Sequence, residues 1–385
     1  MLNASIHESC MDRLLSLAGV AGLSARLSDA SRLFEDATAP WGAAPIRELP
    51  ISDVSPDGSP VEFALAMNGD DTALQVAVEP LTPSRPDGYA SRVFAAESAM
   101  ARIGALYDID IDRWLAVADT FMPTEGGRGS AMMLGAQLDR TASPLWKVWF
   151  YPGVTGDDDA PDRVREGLER LGLGAVWPQV RAHAARGFGS DQPVLFALDL
   201  SQGHAPRVKI YFRHHDHRPS GLARHLSRYP GFARPAVRAF GVTLTGGVDS
   251  FAAQAPVTCL AFSPDRATGV TVYFPLWTFP GDDQILAARM CTLLAGEGIT
   301  PDRYRAALAV VAARSLDGGT GIHNYVSWTP AGPRSRVKVY WSPELRSTNP
   351  GSRYTREPVG NPVGSAGWRL RCARGSSAIA NESLN

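Results

Sequence analysis

The stretch Arg207-Val208-Lys209-Ile210-Tyr211-Phe212 alternates strictly between polar and apolar side chains. In a β-strand, successive side chains point to opposite faces, so Arg207, Lys209 and Tyr211 share one face and the apolar residues share the other. A single strand of this kind is typical of a half-buried sheet whose polar face meets solvent. Repetition of the pattern along the chain favours a different interpretation.

The same pattern recurs at intervals of 62 to 72 residues. The further copies are Lys147-Val148-Trp149-Phe150-Tyr151, Thr271-Val272-Tyr273-Phe274, Arg336-Val337-Lys338-Val339-Tyr340 and a degenerate early copy, Gln75-Val76-Ala77-Val78. A short polar turn before each copy separates it from another strand-like run. These runs are Val61 to Met67, Ala131 to Leu138, Pro193 to Leu200, Val257 to Phe262, and Gly321 to Trp328. The sequence therefore predicts five β-hairpins and ten strands.

Segments with helical periodicity lie between the hairpins, for example the run of Val93, Ala96, Met100 and Ile103. The repeating unit is therefore two helices and two strands. Five such units predict an α+β fold, a ten-stranded antiparallel β-barrel surrounded by α-helices. Ten strands leave a solvent-accessible lumen that is too wide for side chains alone to fill. The apolar strand faces would contact the helices, and the polar faces would line a ligand cavity.

One barrel domain is predicted over residues 1–345, followed by a flexible C-terminal tail at 346–385. The tail is rich in Gly, Ser, Pro and Asn, a composition that cannot bury enough apolar surface to order itself. Residues 1 to about 37 are predicted to be helical. The segment from Pro40 to Pro50 is predicted to link them to the first hairpin.

The composition argues against several classes of protein. The net charge of −1 and the pI of about 6.7 argue against a general nucleic-acid surface. No apolar run reaches the roughly 18 residues of a membrane span. The cysteines, Cys10, Cys259, Cys291 and Cys372, form no closely spaced pair, which indicates a reducing compartment and no cysteine zinc site. We expect a cytoplasmic protein that binds neither nucleic acid nor membrane.

Two motifs resemble metal-binding sequences, but we interpret both as ordinary structural segments. Asp158, Asp159 and Asp162 match the DDxxD pattern that holds magnesium diphosphate in helical prenyl-transferring enzymes, but Pro161 among acids is typical of the first turn of a helix. The run His214-His215-Asp216-His217 has no second ligand cluster in the sequence, and it favours a loop that leaves a hairpin. We expect no metal site from either motif.

Four ordered motifs resemble the signature strands of the dimethylallyltryptophan synthase family. They are Asp57-Gly58-Ser59-Pro60-Val61-Glu62, Lys147-Val148-Trp149-Phe150-Tyr151-Pro152, Arg207-Val208-Lys209-Ile210-Tyr211-Phe212 and Thr271-Val272-Tyr273. The resemblance covers residues 40 to 345 and implies the ABBA prenyltransferase barrel of a bacterial indole prenyltransferase. It implies transfer of a dimethylallyl group from dimethylallyl diphosphate to L-tryptophan or a tryptophan derivative, with no metal or other cofactor. Attack at C6 is favoured by analogy with bacterial relatives.

The resemblance also implies roles for individual residues. Glu62 matches the glutamate that accepts the indole N–H. Tyr151 matches a position that touches the amino-acid part of the substrate. The diphosphate would be bound by Lys147, Arg207, Lys209 and Lys338, with Gln75, which replaces the family's usual arginine, and Thr271. The allyl cation would be shielded by Tyr211, Tyr273, Tyr340 and by Trp149, which stands where a tyrosine is common.

These residue types suit the implied reaction. Fixed cations stabilise the charge that develops on a departing diphosphate, and aromatic faces stabilise an allyl cation while excluding water. The partners would be small molecules only, and the chain would act as a monomer or homodimer. No lysine occurs near Asp139 and Arg140 to remove the final ring proton, so that base is unassigned. Two alternatives stay open: a barrel prenyltransferase for phenols or phenazines, and a noncatalytic small-molecule carrier.

Overall fold

Ten antiparallel strands pair into one closed barrel. In the computed structural model, residues 3–69, 71–83, 88–140, 143–200, 202, 207–251, 254–263, 266–330 and 335–346 are described. The strands are β1 Val61–Asn68, β2 Asp71–Val78, β3 Met132–Leu138, β4 Leu145–Phe150, β5 Asp191–Asp199, β6 Val208–His214, β7 Val257–Ser263, β8 Arg266–Pro275, β9 His323–Thr329 and β10 Arg336–Trp341. Each pairs with its sequence neighbours, and β10 closes the barrel against β1. The predicted ten-stranded barrel is confirmed, whereas the tail predicted from 346 lies outside the described residues after Arg346.

Helices surround the barrel between the hairpins, as the repeat predicts. They are α1 Ile6–Val20, α2 Leu27–Thr38, α3 Tyr89–Leu106, α4 Ile111–Leu115, α5 Ala118–Phe121, α6 Ala160–Arg170, α7 Trp177–His183, α8 Pro219–Leu226, α9 Arg234–Leu244, α10 Asp283–Gly296 and α11 Asp302–Val311. The N-terminal segment forms two helices, because Gly22 adopts a φ of 69° after α1 and ends it. Across the described residues, no helix combines the length and the apolar character needed to span a membrane.

The outward strand faces form the main hydrophobic core with the helices. Val148, Val208 and Ile210 are fully buried there, as the alternation predicts. At the end of α5, the Phe121 ring stacks on Phe150 and Phe196, with ring centroids 5.2 and 4.5 Å apart. Gly167 of α6 lies against that ring, and a Cβ atom at this position would come within 2.8 Å of it. Glycine therefore allows α6 to pack closely on the barrel.

The inward strand faces carry many small residues between the larger polar side chains. The small residues that alternate with outward apolar ones are Ala64, Ala66, Ala77, Gly135, Ala197 and Ala261. At Gly135 the indole ring of Trp149 lies across the strand, and a Cβ atom would approach that ring to 2.9 Å. The backbone of β3 thus provides the surface on which Trp149 lies.

Candidate active site

At one end of the lumen, Gln75 of β2 joins two lysines from strands that are not its neighbours. Lys338 of β10 donates to Gln75 Oε1 at 2.6 Å, and Lys147 of β4 donates to the same oxygen at 3.4 Å. Lys147 also donates to Gln137 Oε1 of β3 at 2.9 Å. These contacts cross the inside of the barrel, so the closed sheet brings the predicted cations together.

Two more predicted cations are held by an acid that the sequence analysis missed. Asp199, the last residue of β5, accepts from Arg207 Nε and from Lys209 Nζ, both at 2.6 Å. Although burial opposes its ionisation, Lys209, Lys147 and Arg207 hold the pKa of Asp199 well below its usual range. The signal was present in the sequence, because Asp199 occupies an inward position at the end of the run from Pro193 to Leu200.

Burial among like charges weakens the protonation of two of these lysines. Desolvation and the nearby Lys338 and Lys209 lower the pKa of Lys147 well below its ordinary value. Desolvation, Lys209 and Arg336 lower the pKa of Lys338 to about 7. A multiply charged anion that entered this cluster would relieve the repulsion and favour the protonated forms. The arrangement therefore suits a diphosphate.

The predicted aromatic residues form a continuous group next to the cations. Trp149 Nε1 donates to the Tyr211 hydroxyl at 3.2 Å. The Tyr211 and Tyr273 ring centroids are 5.5 Å apart, and those of Tyr273 and Tyr340 are 6.0 Å apart. Lys338 Nζ lies 5.4 Å from the Tyr340 ring centroid, so the aromatic group directly adjoins the cationic one. Burial raises the pKa of Tyr211 and Tyr273 well above the ordinary value, which keeps both as neutral phenols.

Glu62 of β1 lies beyond the aromatic group. The Asn324 side-chain amide donates to Glu62 Oε2. Desolvation raises the pKa of Glu62 to about 8, although Lys338 and the Asn324 hydrogen bond oppose the shift. The predicted carboxylate is thus enclosed in the barrel rather than solvated at its surface, and it is a ready acceptor for an N–H group when ionised.

A cation near Glu62 was not predicted. Arg213 follows Arg207, Lys209 and Tyr211 on the inward face of β6, and its side chain hydrogen-bonds Tyr325 of β9. Within the described residues, Arg213 Nε is buried and has no hydrogen-bond partner. The alternation that identified the other residues continues to this position, so the sequence did contain the signal.

Two predicted residues make fewer contacts with the rest of the site. The Thr271 hydroxyl hydrogen-bonds the Thr329 hydroxyl at 2.7 Å rather than a lysine. Tyr151 follows β4, and its buried hydroxyl lies beside Ser130. Burial, followed by the charges of Asp53 and Glu79, raises the pKa of Tyr151 well above its ordinary value. Tyr151 is therefore a neutral phenol.

The two metal-like motifs have different outcomes. Asp158 and Asp159 are exposed just before α6, and Pro161 lies in its first turn. The segment is therefore the start of a helix, as the sequence predicted when the DDxxD interpretation was rejected. The loop predicted for the histidine run is wrong at His214, which is the last residue of β6 and is fully buried. The expectation that His214 has no further potential ligands nearby is also wrong, since His183 and His225 lie beside it. Their separation in the chain hid this grouping.

Known proteins resemble this chain over most of its length. The family model described as Tryptophan dimethylallyltransferase matches residues 40–227. A solved 6-dimethylallyl tryptophan synthase is 30% identical with a TM-score of 0.80, covering 88% of this chain and 96% of its own. The 6-dimethylallyltryptophan synthase from Micromonospora olivasterospora is 29% identical with a TM-score of 0.80, covering 90% and 99%. The 5-dimethylallyltryptophan synthase from Streptomyces coelicolor is 26% identical with a TM-score of 0.78, covering 94% and 100%. With a barrel that places cations beside aromatic rings, the chain belongs to the tryptophan dimethylallyltransferase family and is a prenyltransferase.

Proposed function

We propose that this enzyme transfers a dimethylallyl group from dimethylallyl diphosphate to the indole ring of L-tryptophan. The observation that carries the proposal is the order of groups inside one lumen: cations, then aromatic rings, then the Glu62 carboxylate. The relatives from Micromonospora olivasterospora and Streptomyces coelicolor were solved in complex with DMASPP and Trp. Those two ligands fit the two ends of the site described above.

The first step is ionisation of the allyl diphosphate. As the C–O bond breaks, the electron pair leaves with the diphosphate, whose negative charge increases. Lys147, Arg207, Lys209 and Lys338 stabilise that charge, and they do so more strongly in the transition state than in the bound substrate. Gln75 holds Lys147 and Lys338 toward one point, so the cations are oriented before the substrate arrives.

The second fragment is an allyl cation, which water would capture. The rings of Trp149, Tyr211, Tyr273 and Tyr340 surround the space beside the cations. Each aromatic face contributes roughly 1 to 2 kcal/mol to a desolvated cation. Because Tyr211 and Tyr273 remain protonated, neither phenol is available as a phenolate to trap the cation.

The indole ring then attacks the cation. Glu62 accepts the indole N–H, which holds the ring in place and increases its electron density as the C–C bond forms. Loss of the ring proton restores aromaticity. Tyr325 hydrogen-bonds Arg213 and is also close enough to be influenced by the Glu62 charge, and we assign Arg213 to the carboxylate of the amino acid. This assignment favours free tryptophan over a cyclic dipeptide, which has no carboxylate.

We assign the new bond to C6 of the indole. The choice rests on analogy with the 6-dimethylallyltryptophan synthases, whose overall similarity is slightly higher than that of the 5-dimethylallyl enzyme. We also infer that the reaction needs no metal, because the lysine and arginine cations supply the charge that magnesium supplies elsewhere. Tyr151 would contact the amino-acid part of the substrate, and Thr271 would contact the diphosphate side.

One incubation tests these proposals together. Purified protein treated with EDTA is mixed with L-tryptophan and dimethylallyl diphosphate, and the product is followed by mass and by proton NMR of the ring. A product heavier by one C5 unit and substituted at C6 is expected. Product substituted at C5 would refute only the assignment of the new bond to C6. Activity that returns only with magnesium would refute the inference that no metal is needed. Diphosphate release with a phenol but not with tryptophan would mean that the acceptor is a phenol rather than tryptophan. No release with any acceptor would favour a noncatalytic carrier.

A further inference from the structure

Three histidines from separate elements converge on the outer face of the barrel. His183 ends α7, His214 ends β6, and His225 lies in α8. All are buried, at 0%, 0% and 5% relative exposure. One potential ligand atom of each lies within 4.8 Å of those of the other two. Their ring centroids are 4.6 to 5.6 Å apart. We call these residues the imidazole cluster.

The surroundings of His214 resemble the outer shell of a metal ligand. His214 Nδ1 lies 2.7 Å from Asp191 Oδ1, so this nitrogen donates to the carboxylate and leaves the Nε2 lone pair facing the cluster. Arg186 makes three hydrogen bonds to the Asp191 carboxylate and fixes it. A carboxylate on the second ring nitrogen is the usual way in which a ligating histidine is oriented and made more basic.

His183 and His225 differ in how many of their ring nitrogens have hydrogen-bond partners. His183 Nδ1 lies 2.6 Å from the Tyr229 hydroxyl, and its Nε2 lies 2.6 Å from Thr258 Oγ1. His214 Nε2 also lies 2.6 Å from Thr258 Oγ1. The Thr258 hydroxyl donates to His214 Nε2 and can accept from His183 Nε2, so it satisfies both rings. Arg228 Nη2 donates to His225 Nδ1 at 3.1 Å, so the proton of the neutral ring lies on Nε2, which is buried with no hydrogen-bond partner among the described residues. A buried polar atom of this kind is destabilising unless something binds it.

We propose that the imidazole cluster binds one divalent transition-metal ion, with zinc the best match. Three neutral imidazoles are a ligand set for zinc, copper, nickel and cobalt rather than for magnesium or calcium. The Thr258 hydroxyl or a water would fill the fourth position. Zinc–nitrogen bonds of about 2.0 to 2.1 Å would draw the rings closer together than they now lie.

The metal would have a structural role. It would tie α7 and α8 to the end of β6, joining three elements that are otherwise held by packing and hydrogen bonds. The cluster lies on the outward face of β6 and β7, whereas Tyr211 and Cys259 on the same strands belong to the lumen. This site is therefore separate from the proposed prenyl-transfer chemistry, and the inference does not depend on that proposal.

The test uses the untagged full-length protein after dialysis against EDTA. Cobalt is titrated first, because bound Co²⁺ reports tetrahedral nitrogen ligation by its visible absorption, and zinc is then used to displace it. We expect one ion per chain. The midpoint temperature of thermal unfolding should rise by about 3 to 8 °C when the zinc concentration is a hundred times its Kd. No cobalt absorption and no shift with zinc would overturn the proposal and leave a hydroxyl-bridged histidine network.

A matched pair of variants locates the ion. His225→Gln removes the unpaired nitrogen but leaves the contacts among His183, Thr258 and His214, and it should weaken zinc binding by about 100-fold or more. His215→Gln is the control, because this neighbouring imidazole bonds Gln192 and lies outside the cluster. It should bind zinc as the original protein does. Equal zinc affinity in both variants would place the ion elsewhere and refute the assignment.

Discussion

Replacement of Glu62 by glutamine provides a quantitative test of the proposed indole site. Glutamine keeps the shape of the side chain and can still accept a hydrogen bond through its carbonyl oxygen. It removes only the negative charge. Desolvation raises the pKa of Glu62 to about 8, so the carboxylate is about 10% ionised at pH 7 and about 1% ionised at pH 6 in the free enzyme. The effect of Glu62→Gln should therefore depend strongly on pH.

The expected magnitude follows from these populations. A hydrogen bond to a charged acceptor contributes about 1.5 to 3 kcal/mol, which corresponds to a factor of roughly 10 to 150 in rate. At pH 9 the original enzyme should exceed Glu62→Gln by this full factor in kcat/KM for tryptophan. Below pH 8 the advantage should fall by about tenfold per pH unit, until the two enzymes agree within a few-fold near pH 6.

Stability should change with pH in the opposite direction. The folded protein binds the Glu62 proton more tightly than the unfolded chain, so between the ordinary value of 4.5 and the folded value of about 8 the unfolding free energy falls as pH rises. The slope from this one group is at most about 1.4 kcal/mol per pH unit. Glu62→Gln should remove that slope, so the variant should become the more stable protein at alkaline pH.

The assay is the rate of prenylated tryptophan formation at saturating dimethylallyl diphosphate, measured by chromatography between pH 6 and 9. Urea unfolding at the same pH values supplies the stability data. Glu344→Gln is a matched control, because burial also raises the pKa of Glu344 to about 7 but its partner is Arg314, outside the lumen. This control should keep the original pH profile of activity. A rate ratio between the original enzyme and Glu62→Gln that stays constant from pH 6 to 9 would refute the reasoning.

Four other changes test separate parts of the structure. Lys209→Ala should lower kcat/KM by about 10²- to 10³-fold through loss of a cation from the diphosphate site, and unchanged steady-state kinetics would contradict the assignment of Lys209 to that site. Asp199→Asn removes the anion that competes for the same cations, so inorganic diphosphate should bind about tenfold more tightly in calorimetry; weaker binding would mean that Asp199 mainly positions them. Arg213→Leu should raise KM for tryptophan much more than for tryptamine, which lacks the carboxylate, and equal effects on both would remove Arg213 from the substrate site. Phe121→Ala should lower the unfolding free energy by about 3 to 5 kcal/mol in urea, since the ring is fully buried against Phe150 and Phe196; a loss below 1 kcal/mol would contradict its place in the core.

His214, in the histidine run, shows where sequence reasoning is limited. His214 shares the alternation of β6, but a pattern of period two says only that it faces away from Tyr211, not what it meets there. Its neighbours His183 and His225 belong to α7 and α8, and the angle at which those helices pack on the barrel depends on side chains along their whole length. The cluster was therefore invisible until the helices were placed.

Alternation, repeated along the chain, was enough to predict the hairpins, the barrel and the inward direction of Lys147, Lys209, Tyr211 and Lys338, because side-chain direction in a strand is a local property of the backbone. The role of Glu62 came from the family resemblance. Only the tertiary structure placed Asp199 on Arg207 and Lys209, and Gln75 between Lys147 and Lys338. Those distances depend on strand register and on the closure of β10 against β1, which pairs Phe63 with Trp341, 278 positions later in the chain. The sequence by itself determined which side chains enter the lumen, and the closed sheet decided which of them meet.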